Sequence, residues 1–416
     1  MVGNLEDRYI RRSIASLAFE GGKIAFVSGP RQCGKTTVGR LFMAERSASR
    51  YATWDDIDFR RIWIKSPKSI IRFEDVSEGG GRPLVVLDEI HKARGWKRTL
   101  KGVYDTLDAP CDILVTGSAR LDVYKRGGES LLGRNVSFRL HPFSLGEIGG
   151  GTLPTPEAVL ERTFAGPAPA PVRRKSQEIL LQLLEYGGFP EPFLRQSARF
   201  ARIWRRGRTE KIVREDLRDL SRIPELSRVE MLTALLPERA GHALGIQSLR
   251  EDLEVSFDTV KRWIDYLKEL FYVFEIKPYA KSIPRSLKKE GKLFMWDWSE
   301  VEAEGSRFEN LVACHLLKAV DFWTDTGEGT FGLQYLKDKE KREVDFLITR
   351  DRKPWLAIEC KIKDTAPNPA FRSFVPRIGC DRFLQLVRDP GIRLPVEAGA
   401  SRGLIVSAAD FLAQLP

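Results

Sequence analysis

The chain is 416 residues long, 42% of its residues are hydrophobic, 30% are charged, and its formal net charge is +11. This length predicts two to four domains with substantial cores, and no apolar run approaches the ~18 residues of a membrane span. The excess of lysine and arginine favours nucleic acid or another polyanion as a partner.

The first eight residues are charged and contain no apolar signal core, so secretion is not expected. The five cysteines are scattered and odd in number, which favours reduced thiols in a cytoplasmic protein over disulfides. Cysteines and histidines show no zinc spacing, and the four histidines are predicted to be structural or on the surface.

A strand-like run at residues 24–27 leads into a glycine-punctuated loop that matches the pattern G-x-x-x-x-G-K-[ST]. Such glycines let successive backbone N–H groups surround a phosphate at the start of a helix. Lys35 is predicted to reach the β- and γ-phosphates of ATP, and the Thr36 hydroxyl to hold Mg²⁺. The predicted nucleotide-binding residues of this loop are Gly29, Pro30, Arg31, Gln32, Cys33, Gly34, Lys35, Thr36 and Thr37.

Two further apolar runs complete the predicted nucleotide site. The run at 83–89 ends in Asp88 and Glu89, as expected of a buried parallel strand whose carboxylates lie at the ligand-binding edge of an α/β sheet. Asp88 is predicted to bind Mg²⁺ through water, and Glu89 to orient the attacking water. The next strand-like run ends in polar residues, and either Thr116 or Ser118 would lie near the γ-phosphate.

Residues 131–134 precede another strand-like run, and here the chain resembles the AAA+ ATPases, especially their replication-initiator-like and related prokaryotic branches. In that family an arginine before the last core strand points into the nucleotide of a neighbouring subunit. The resemblance makes Arg134 the first arginine-finger candidate and Arg120 the second, and it implies a homo-oligomer, with a hexamer expected. The alternative is that Arg134 pairs with a local carboxylate.

Glycine, proline and alanine dominate residues 149–175, which predicts a linker. Helical periodicity follows over residues 176–240, the position of the lid in an AAA+ ATPase. This region also carries a concentration of basic residues, which is either a solvated helix face or a nucleic-acid contact. Those residues are Arg195, Arg199, Arg202, Arg205, Arg206, Arg208, Lys211 and Arg214.

Residues 241–290 have the pattern of a winged helix. A short helix at 247–253 precedes a turn and a second helix beginning at Asp258, and a β-like run at 271–276 leads into basic residues. The second helix would enter a DNA major groove while the wing contacts phosphates, although winged helices also serve protein contacts. Its predicted apolar face consists of Val260, Trp263, Ile264 and Leu267.

The last 120 or so residues contain two alternating runs, 342–348 and 355–361, separated by a polar turn. A turn centred on Arg352 sets Asp345 opposite Glu359 in an antiparallel pair, with their Cβ atoms ~5 Å apart. Lys361 shares the face of Glu359, because side chains alternate along a strand.

A third carboxylate is predicted to join this patch. On a helix Glu309 would share an inward-facing apolar surface with Val312 and Leu316. A buried glutamate needs a partner, and a metal ion shared with Asp345 and Glu359 would supply one.

This arrangement resembles the PD-(D/E)xK nucleases, the restriction-endonuclease-like fold that also includes archaeal Holliday-junction resolvases. The resemblance implies that Glu309, Asp345 and Glu359 bind Mg²⁺ and that Lys361 is the catalytic lysine. Two alternatives stand beside it: a surface ion-pair ladder, or the nuclease fold with a silent site.

The predicted fold class is α/β, a P-loop AAA+ core with helical lid, winged helix-turn-helix and a C-terminal α/β restriction-endonuclease-like domain. The whole resembles one prokaryotic family of AAA-type ATPases. The predicted divisions are 1–148 (core), 149–175 (linker), 176–240 (lid), 241–290 (winged helix) and 291–416 (nuclease-like domain).

The first functional hypothesis is an ATP- and Mg²⁺-dependent motor that remodels and cuts DNA, branched DNA included, in recombination or repair. The alternative is a nucleotide switch that binds DNA or a protein and whose nuclease-like domain is silent.

Overall fold

The computed structural model describes residues 8–73, 81–118, 131–150, 153–165, 174–220, 225–280 and 290–416. They form two compact units. The N-terminal unit comprises Asn4–His141 with Glu269–Phe271, and the C-terminal unit comprises Pro142–Lys268 with Tyr272–Pro416. Within the described residues no helix combines the length and the apolar character needed to cross a membrane.

The N-terminal unit contains a five-stranded parallel sheet. Its strands are β1 (Ile24–Ser28), β2 (Ser49–Thr53), β3 (Leu84–Asp88), β4 (Asp112–Gly117) and β5 (Asn135–Arg139), in the spatial order β2-β3-β4-β1-β5. Its helices are α1 (Arg11–Ser13, continued as a π-helix over Ile14–Phe19), α2 (Lys35–Ala44), α3 (Ile57–Lys65) and α4 (Trp96–Asp105). Short 3₁₀ turns cover Pro67–Ile71 and Ile90–Lys92.

The central strands are apolar because both faces of the sheet are covered. Every residue of β3 and β4 is buried, as expected of parallel strands between helical layers. Strand register brings the carboxyl ends together, with Asp88 beside Thr116 and Ser28 beside Gly117. The strand ends that were predicted to bind nucleotide therefore lie together at the carboxyl edge of one sheet.

The first part of the C-terminal unit is helical. Its α-helices are α5 (Leu145–Ile148), α6 (Pro156–Ala165), α7 (Arg174–Tyr186), α8 (Pro190–Arg195), α9 (Ala198–Lys211), α10 (Leu217–Leu220), α11 (Leu226–Leu235), α12 (Ile246–Asp252) and α13 (Phe257–Glu269). A π-helical turn (Ile212–Asp216) continues α9, and a 3₁₀ turn (Leu236–Arg239) continues α11. The predicted apolar face of α13 is buried, so that prediction is confirmed.

An eight-stranded mixed sheet completes the unit, in the order β12-β13-β11-β10-β9-β8-β6-β7. The strands are β6 (Val273–Pro278), β7 (Lys292–Met295), β8 (Phe331–Lys337), β9 (Glu343–Arg350), β10 (Lys353–Lys361), β11 (Arg382–Val387), β12 (Arg393–Ala398) and β13 (Ser401–Ser407). The helices are α14 (Glu304–Asp325), α15 (Ala370–Ile378) and α16 (Ala408–Leu412), with a 3₁₀ turn at Trp298–Glu300.

The hairpin β9–β10 has the predicted antiparallel register over its distal half. Phe346 pairs with Ile358 and Leu347 with Ala357, the register that sets Asp345 opposite Glu359. Near the turn the register shifts between Pro354 and Leu356, because the turn centres on two residues with positive φ instead of on Arg352 alone.

Two predicted divisions differ from the structure. Within the predicted linker, Pro156–Ala165 form helix α6, whose Val159 is fully buried and so anchors it despite the surrounding glycine and proline. The β-like run at 271–276, predicted to lead into a wing, lies mostly in β6. This strand pairs with β7 and, at Lys277 and Pro278, with β8, so it belongs to the eight-stranded sheet. A two-residue parallel pairing leaves no pattern in the sequence, and residues 281–289 of the predicted wing lie outside the described residues.

Candidate functional site

The loop between β1 and α2 depends on two glycines for different reasons. Gly34 caps α2 in a left-handed conformation, with φ of +101°. At Gly29 a Cβ atom would lie 2.2 Å from the carbonyl oxygen of Leu140. Neither position accepts a larger residue without movement of the backbone.

Lys35 begins α2 and is almost fully buried. Its Nζ donates to the carbonyl oxygens of Gly29 at 2.8 Å and Pro30 at 2.7 Å. The ammonium is thus held over the loop whose N–H groups and helix dipole favour an anion. A phosphate oxygen would offer it a charged acceptor in place of two neutral ones.

The carboxylate of Asp88 accepts hydrogen bonds from three side-chain hydroxyl groups at this edge of the sheet. Its Oδ2 accepts from Thr36 Oγ1 at 3.3 Å and from the hydroxyl of Tyr51, and its Oδ1 accepts from Thr116 Oγ1. Burial, followed by the hydrogen bond to Asp88, raises the pKa of Tyr51 above its ordinary value, so the phenol stays protonated. A hydroxyl and a carboxylate facing each other are the hard oxygen ligands that Mg²⁺ prefers, so these residues fit that ion.

Glu89 adopts a left-handed backbone conformation, with φ of +55°, directly after β3. Ser118 holds both oxygens of its carboxylate: the backbone N–H donates to Oε1 at 2.8 Å and Oγ donates to Oε2 at 3.0 Å. His91 Nε2 lies 3.5 Å from Oε2, and burial lowers the pKa of this imidazole. The predicted water-orienting carboxylate is therefore tied to the end of the neighbouring strand.

Arg8 is a residue of this site that the sequence pattern did not indicate. It is 3% exposed, and its guanidinium donates to the carbonyl oxygens of Cys33 and His141. Arg8 therefore contacts the loop and the segment after β5, through residues that lie 25 and 133 positions further along the chain. No local pattern distinguishes such an arginine from those on the surface of the same segment.

The other predicted loop residues differ in exposure. Pro30 and Cys33 are buried, Arg31 is half-buried, and Gln32 and Thr37 are exposed. Arg134 stands at the amino end of β5, the edge opposite the loop, where it pairs with both oxygens of Asp105 at 2.6 and 3.2 Å.

Within one chain Arg134 makes the local ion pair that was the alternative to an arginine finger. Its role in a neighbouring subunit stays a prediction. Arg120 lies outside the described residues.

The structure brings the four residues of the predicted nuclease site together. Asp345 N–H donates to Glu359 Oε2 at 3.3 Å, and Lys361 Nζ donates to Glu359 Oε1 at 2.7 Å. Glu309, on α14, is connected to the other three by Lys292, at the start of β7. The sequence analysis did not predict Lys292 as part of this site. Lys292 Nζ lies 3.1 Å from Glu309 Oε1 and 3.6 Å from Asp345 Oδ1.

Lys292 also pairs with Glu343, at 2.5 Å, and its side chain is 6% exposed. Burial raises the pKa of Glu309 to about 8 and that of Glu359 to about 7, with Asp345 adding to both. Burial also raises the pKa of Asp345. Burial alone would lower the pKa of Lys292, but the carboxylates around it raise that pKa above its ordinary value.

These residues do not fit a bound Mg²⁺ in this arrangement. The ammonium of Lys292 stands among the carboxylates, and Asp345 Oδ2 is occupied by the N–H of Cys360 at 2.9 Å. In the described ranges no group of three or more His, Cys, Asp or Glu residues is arranged to hold a metal ion.

The basic residues of α9 and of the π-helical turn that continues it divide between core and surface. Arg208 is buried against Glu300 at 3.5 Å and over the ring of Phe189. Arg214 is exposed but pairs with Glu230. Four exposed basic residues of α9 make no ion pair with any described residue. Three of them are arginines that recur three and four positions apart, Arg199, Arg202 and Arg206, and the fourth is Lys211.

Comparisons with known proteins agree with the loop geometry. Residues 21–149 match a family described as an AAA domain. Residues 177–303 and 304–380 match families described as Domain of unknown function (DUF8612) and Domain of unknown function (DUF4143). The sheet, the loop and the first of these matches define a P-loop AAA-type ATPase domain.

The chain is similar to two curated proteins, uncharacterized protein Mb2031c of Mycobacterium bovis and uncharacterized protein Rv2008c of Mycobacterium tuberculosis. Each is 24% identical over 283 residues, which cover 67% of this chain and 55% of the relative. The chain thus spans about half the length of these relatives. AMPPCP-bound DnaA from Aquifex aeolicus is 15% identical, with 62% of this chain and 86% of that one covered, but its TM-score of 0.27 is too low to support an argument.

Proposed function

We propose that this chain hydrolyses ATP in a Mg²⁺-dependent reaction and couples the hydrolysis to work on DNA as a homo-oligomer. The observation that carries the proposal is the convergence of Lys35, Thr36, Asp88, Glu89 and Ser118 at one edge of the N-terminal sheet. The match of residues 21–149 to an AAA domain supports it.

Each of these residues has a chemical task in the proposed reaction. Lys35 and the loop N–H groups bind the phosphates. Thr36 and Asp88 would hold Mg²⁺, which would neutralise negative charge on the phosphates. Glu89 accepts a hydrogen bond from the attacking water and so directs it at the γ-phosphorus. Ser118 sets the position of Glu89 through two hydrogen bonds.

The test compares ATP binding with ATP hydrolysis in the full chain. Lys35→Ala should lose both, whereas Glu89→Gln should keep binding and lose hydrolysis. Lys65→Ala, an exposed lysine of α3, serves as the control and should change neither. Retention of full hydrolysis in both site variants would refute the proposed site.

A DNA partner is supported by the net charge of +11 and by the three exposed arginines of α9 that make no ion pair within the described part of the chain. Exposed guanidinium groups at helical spacing bind successive phosphates and release counterions. Binding should therefore fall steeply with salt and depend little on sequence. Forked and four-way substrates extend the same measurement to branched DNA.

The oligomer, with a hexamer expected, follows from the proposed finger Arg134, whose guanidinium would leave Asp105 to reach the nucleotide of a neighbour. A mixture of inactive Arg134→Ala and inactive Lys35→Ala subunits should recover part of the ATPase rate, because some interfaces then contain both intact residues. A mixture that stays inactive, while sedimentation shows mixed oligomers, would remove Arg134 from the reaction.

DNA cleavage is the second candidate function, favoured by the contacts among Asp345, Glu359 and Lys361. Against it, Lys292 occupies the interior of the site, which favours the alternative of a silent nuclease-like domain. Incubation with Mg²⁺ and labelled linear, forked and four-way DNA decides between them. If all three substrates stay intact while ATP is hydrolysed, the cleavage function is rejected.

A further inference from the structure

Four carboxylates of the C-terminal unit form an acid cluster in which Glu359 is buried and the others are partly buried: Glu309, Glu343, Asp345 and Glu359. The cation at its centre belongs to the protein. Lys292 Nζ lies 2.5 Å from Glu343, 3.1 Å from Glu309 and 3.6 Å from Asp345. These acids come from α14 and β9, so one ammonium joins a helix to the sheet.

The backbone fixes Lys292 at this point. It pairs with Ile276 across the β6–β7 hairpin and makes an antiparallel bridge to Ala243 on its other side. The ring of Tyr335 lies 5.5 Å from its ammonium. Lys292 is therefore held from both sides in a register that directs its 6%-exposed side chain into the cluster.

Two more cations among the residues that the structure describes contact the cluster at its rim. Lys361 contacts Glu359 and Lys337 contacts Glu343, and their side chains are 34% and 45% exposed. Without Lys292, Glu309 and Asp345 would have no inner counter-charge, and buried carboxylates in that situation are strongly destabilising. A positive charge at this position therefore stabilises the ionised carboxylates.

We propose that the Lys292 ammonium takes the place of a divalent cation in this cluster. The wild-type cluster consequently binds no divalent metal ion, and removal of the lysine uncovers a site for a hard divalent cation. Carboxylate oxygens from two secondary-structure elements supply the ligands that Mn²⁺, Mg²⁺ and Ca²⁺ prefer. The inference does not depend on the ATPase reaction.

The experiment measures Mn²⁺ binding to the full chain without nucleotide, by the loss of the free-ion electron paramagnetic resonance signal, together with the melting midpoint. The proteins are wild type, Glu309→Gln, Lys292→Met, Lys292→Arg and the double variant Lys292→Met/Glu309→Gln. Wild type, Glu309→Gln and Lys292→Arg should bind Mn²⁺ equally. Lys292→Met should bind one further ion, melt lower, and recover its midpoint as Mn²⁺ is added.

The additional ion should disappear in the double variant, which assigns it to the acid cluster. The proposal is overturned if a folded Lys292→Met protein binds no additional ion. It is also overturned if wild type binds an ion that Glu309→Gln removes. That second comparison needs no lysine variant, so it decides the matter even if Lys292→Met does not fold.

Discussion

Thr36 Oγ1 lies 3.3 Å from Asp88 Oδ2, although the two residues are 52 positions apart in the chain. Thr36 is the second residue of α2, the helix after the P-loop. Asp88 is the last residue of β3, which is separated from β1 by one strand, β4. The parallel sheet makes this meeting possible, because it places the carboxyl ends of β1 and β3 at one edge.

This pair predicts how the ATPase rate depends on Mg²⁺. Asp88→Asn removes the charge that would hold the hydrated ion, and the Mg²⁺ concentration for half-maximal ATPase rate should rise about 10- to 100-fold. Thr36→Val should act in the same direction, whereas Thr36→Ser keeps the hydroxyl and should behave as wild type. Unchanged Mg²⁺ dependence in Asp88→Asn would contradict the assignment.

Ser118 is predicted to act through Glu89. Loss of its hydroxyl in Ser118→Ala leaves one of the two hydrogen bonds to the carboxylate, and kcat should fall about tenfold with unchanged ATP affinity. Glu89→Gln should lower kcat by about 10²- to 10⁴-fold.

In the double variant the loss from Ser118→Ala should vanish, because the carboxylate that Ser118 positions is already gone. Independent, multiplicative losses would show that Ser118 works elsewhere. Single-turnover rates at saturating ATP provide the measurement.

Two glycines of the N-terminal unit predict opposite changes in stability. Gly29→Ala places a Cβ atom 2.2 Å from the Leu140 carbonyl oxygen, so unfolding free energy should drop by about 2 kcal/mol or more. Gly102→Ala, in the exposed interior of α4, meets no atom within 4 Å and should gain up to about 1 kcal/mol. Urea denaturation measures both, and equal effects would contradict the close approach.

The features that the sequence predicts correctly are local. The loop at residues 29–36 is recognisable because its motif consists of consecutive residues. The alternation of side chains around Asp345 and Glu359 predicts their register because both strands belong to one hairpin. Lys292 and Arg8 could not be predicted as site residues because their partners are distant in the chain. In the sequence, a buried lysine or arginine looks the same as one on the surface. The placement of Lys292 requires the pairing of β6 with β8, which no hydrophobic period encodes.

His315 predicts a pH dependence of stability. Burial lowers its pKa to about 4, and the neutral ring accepts from the Leu145 N–H at 3.0 Å while Lys318 adds to the lowering. Because the unfolded imidazole titrates near 6.5, the unfolded state takes up the proton first as pH falls. His315 therefore lowers unfolding free energy progressively from pH 6.5 to pH 4, by about 2 kcal/mol at pH 5.

His315→Gln keeps an acceptor for Leu145 and cannot titrate, so its loss of stability between pH 7 and pH 5 should be smaller by that amount. Glu300 and Glu359, whose raised pKa values act in the opposite direction, remain in both proteins and cancel. A ring that titrates near 6.5 by nuclear magnetic resonance would contradict this prediction.

The last prediction concerns the exposed face of α9. Replacement of Arg199, Arg202 and Arg206 by Gln should weaken binding to duplex DNA, because each arginine can neutralise one phosphate. The slope of log binding constant against log salt should become shallower by about 2 to 3. Arg214→Gln is the matched control, since Arg214 is exposed on the following turn but already paired with Glu230 at 2.8 Å.

The salt slope separates two readings of any weaker binding. A triple variant that binds less tightly with an unchanged slope has lost affinity through altered folding of the helix and not through lost phosphate contacts. Equal binding by the triple variant and wild type at every salt concentration would show that DNA binds to other basic surfaces of the chain. The same fluorescence-anisotropy titration, repeated with forked DNA, tells whether this face prefers branched substrates, because a preference carried by these arginines must disappear with them.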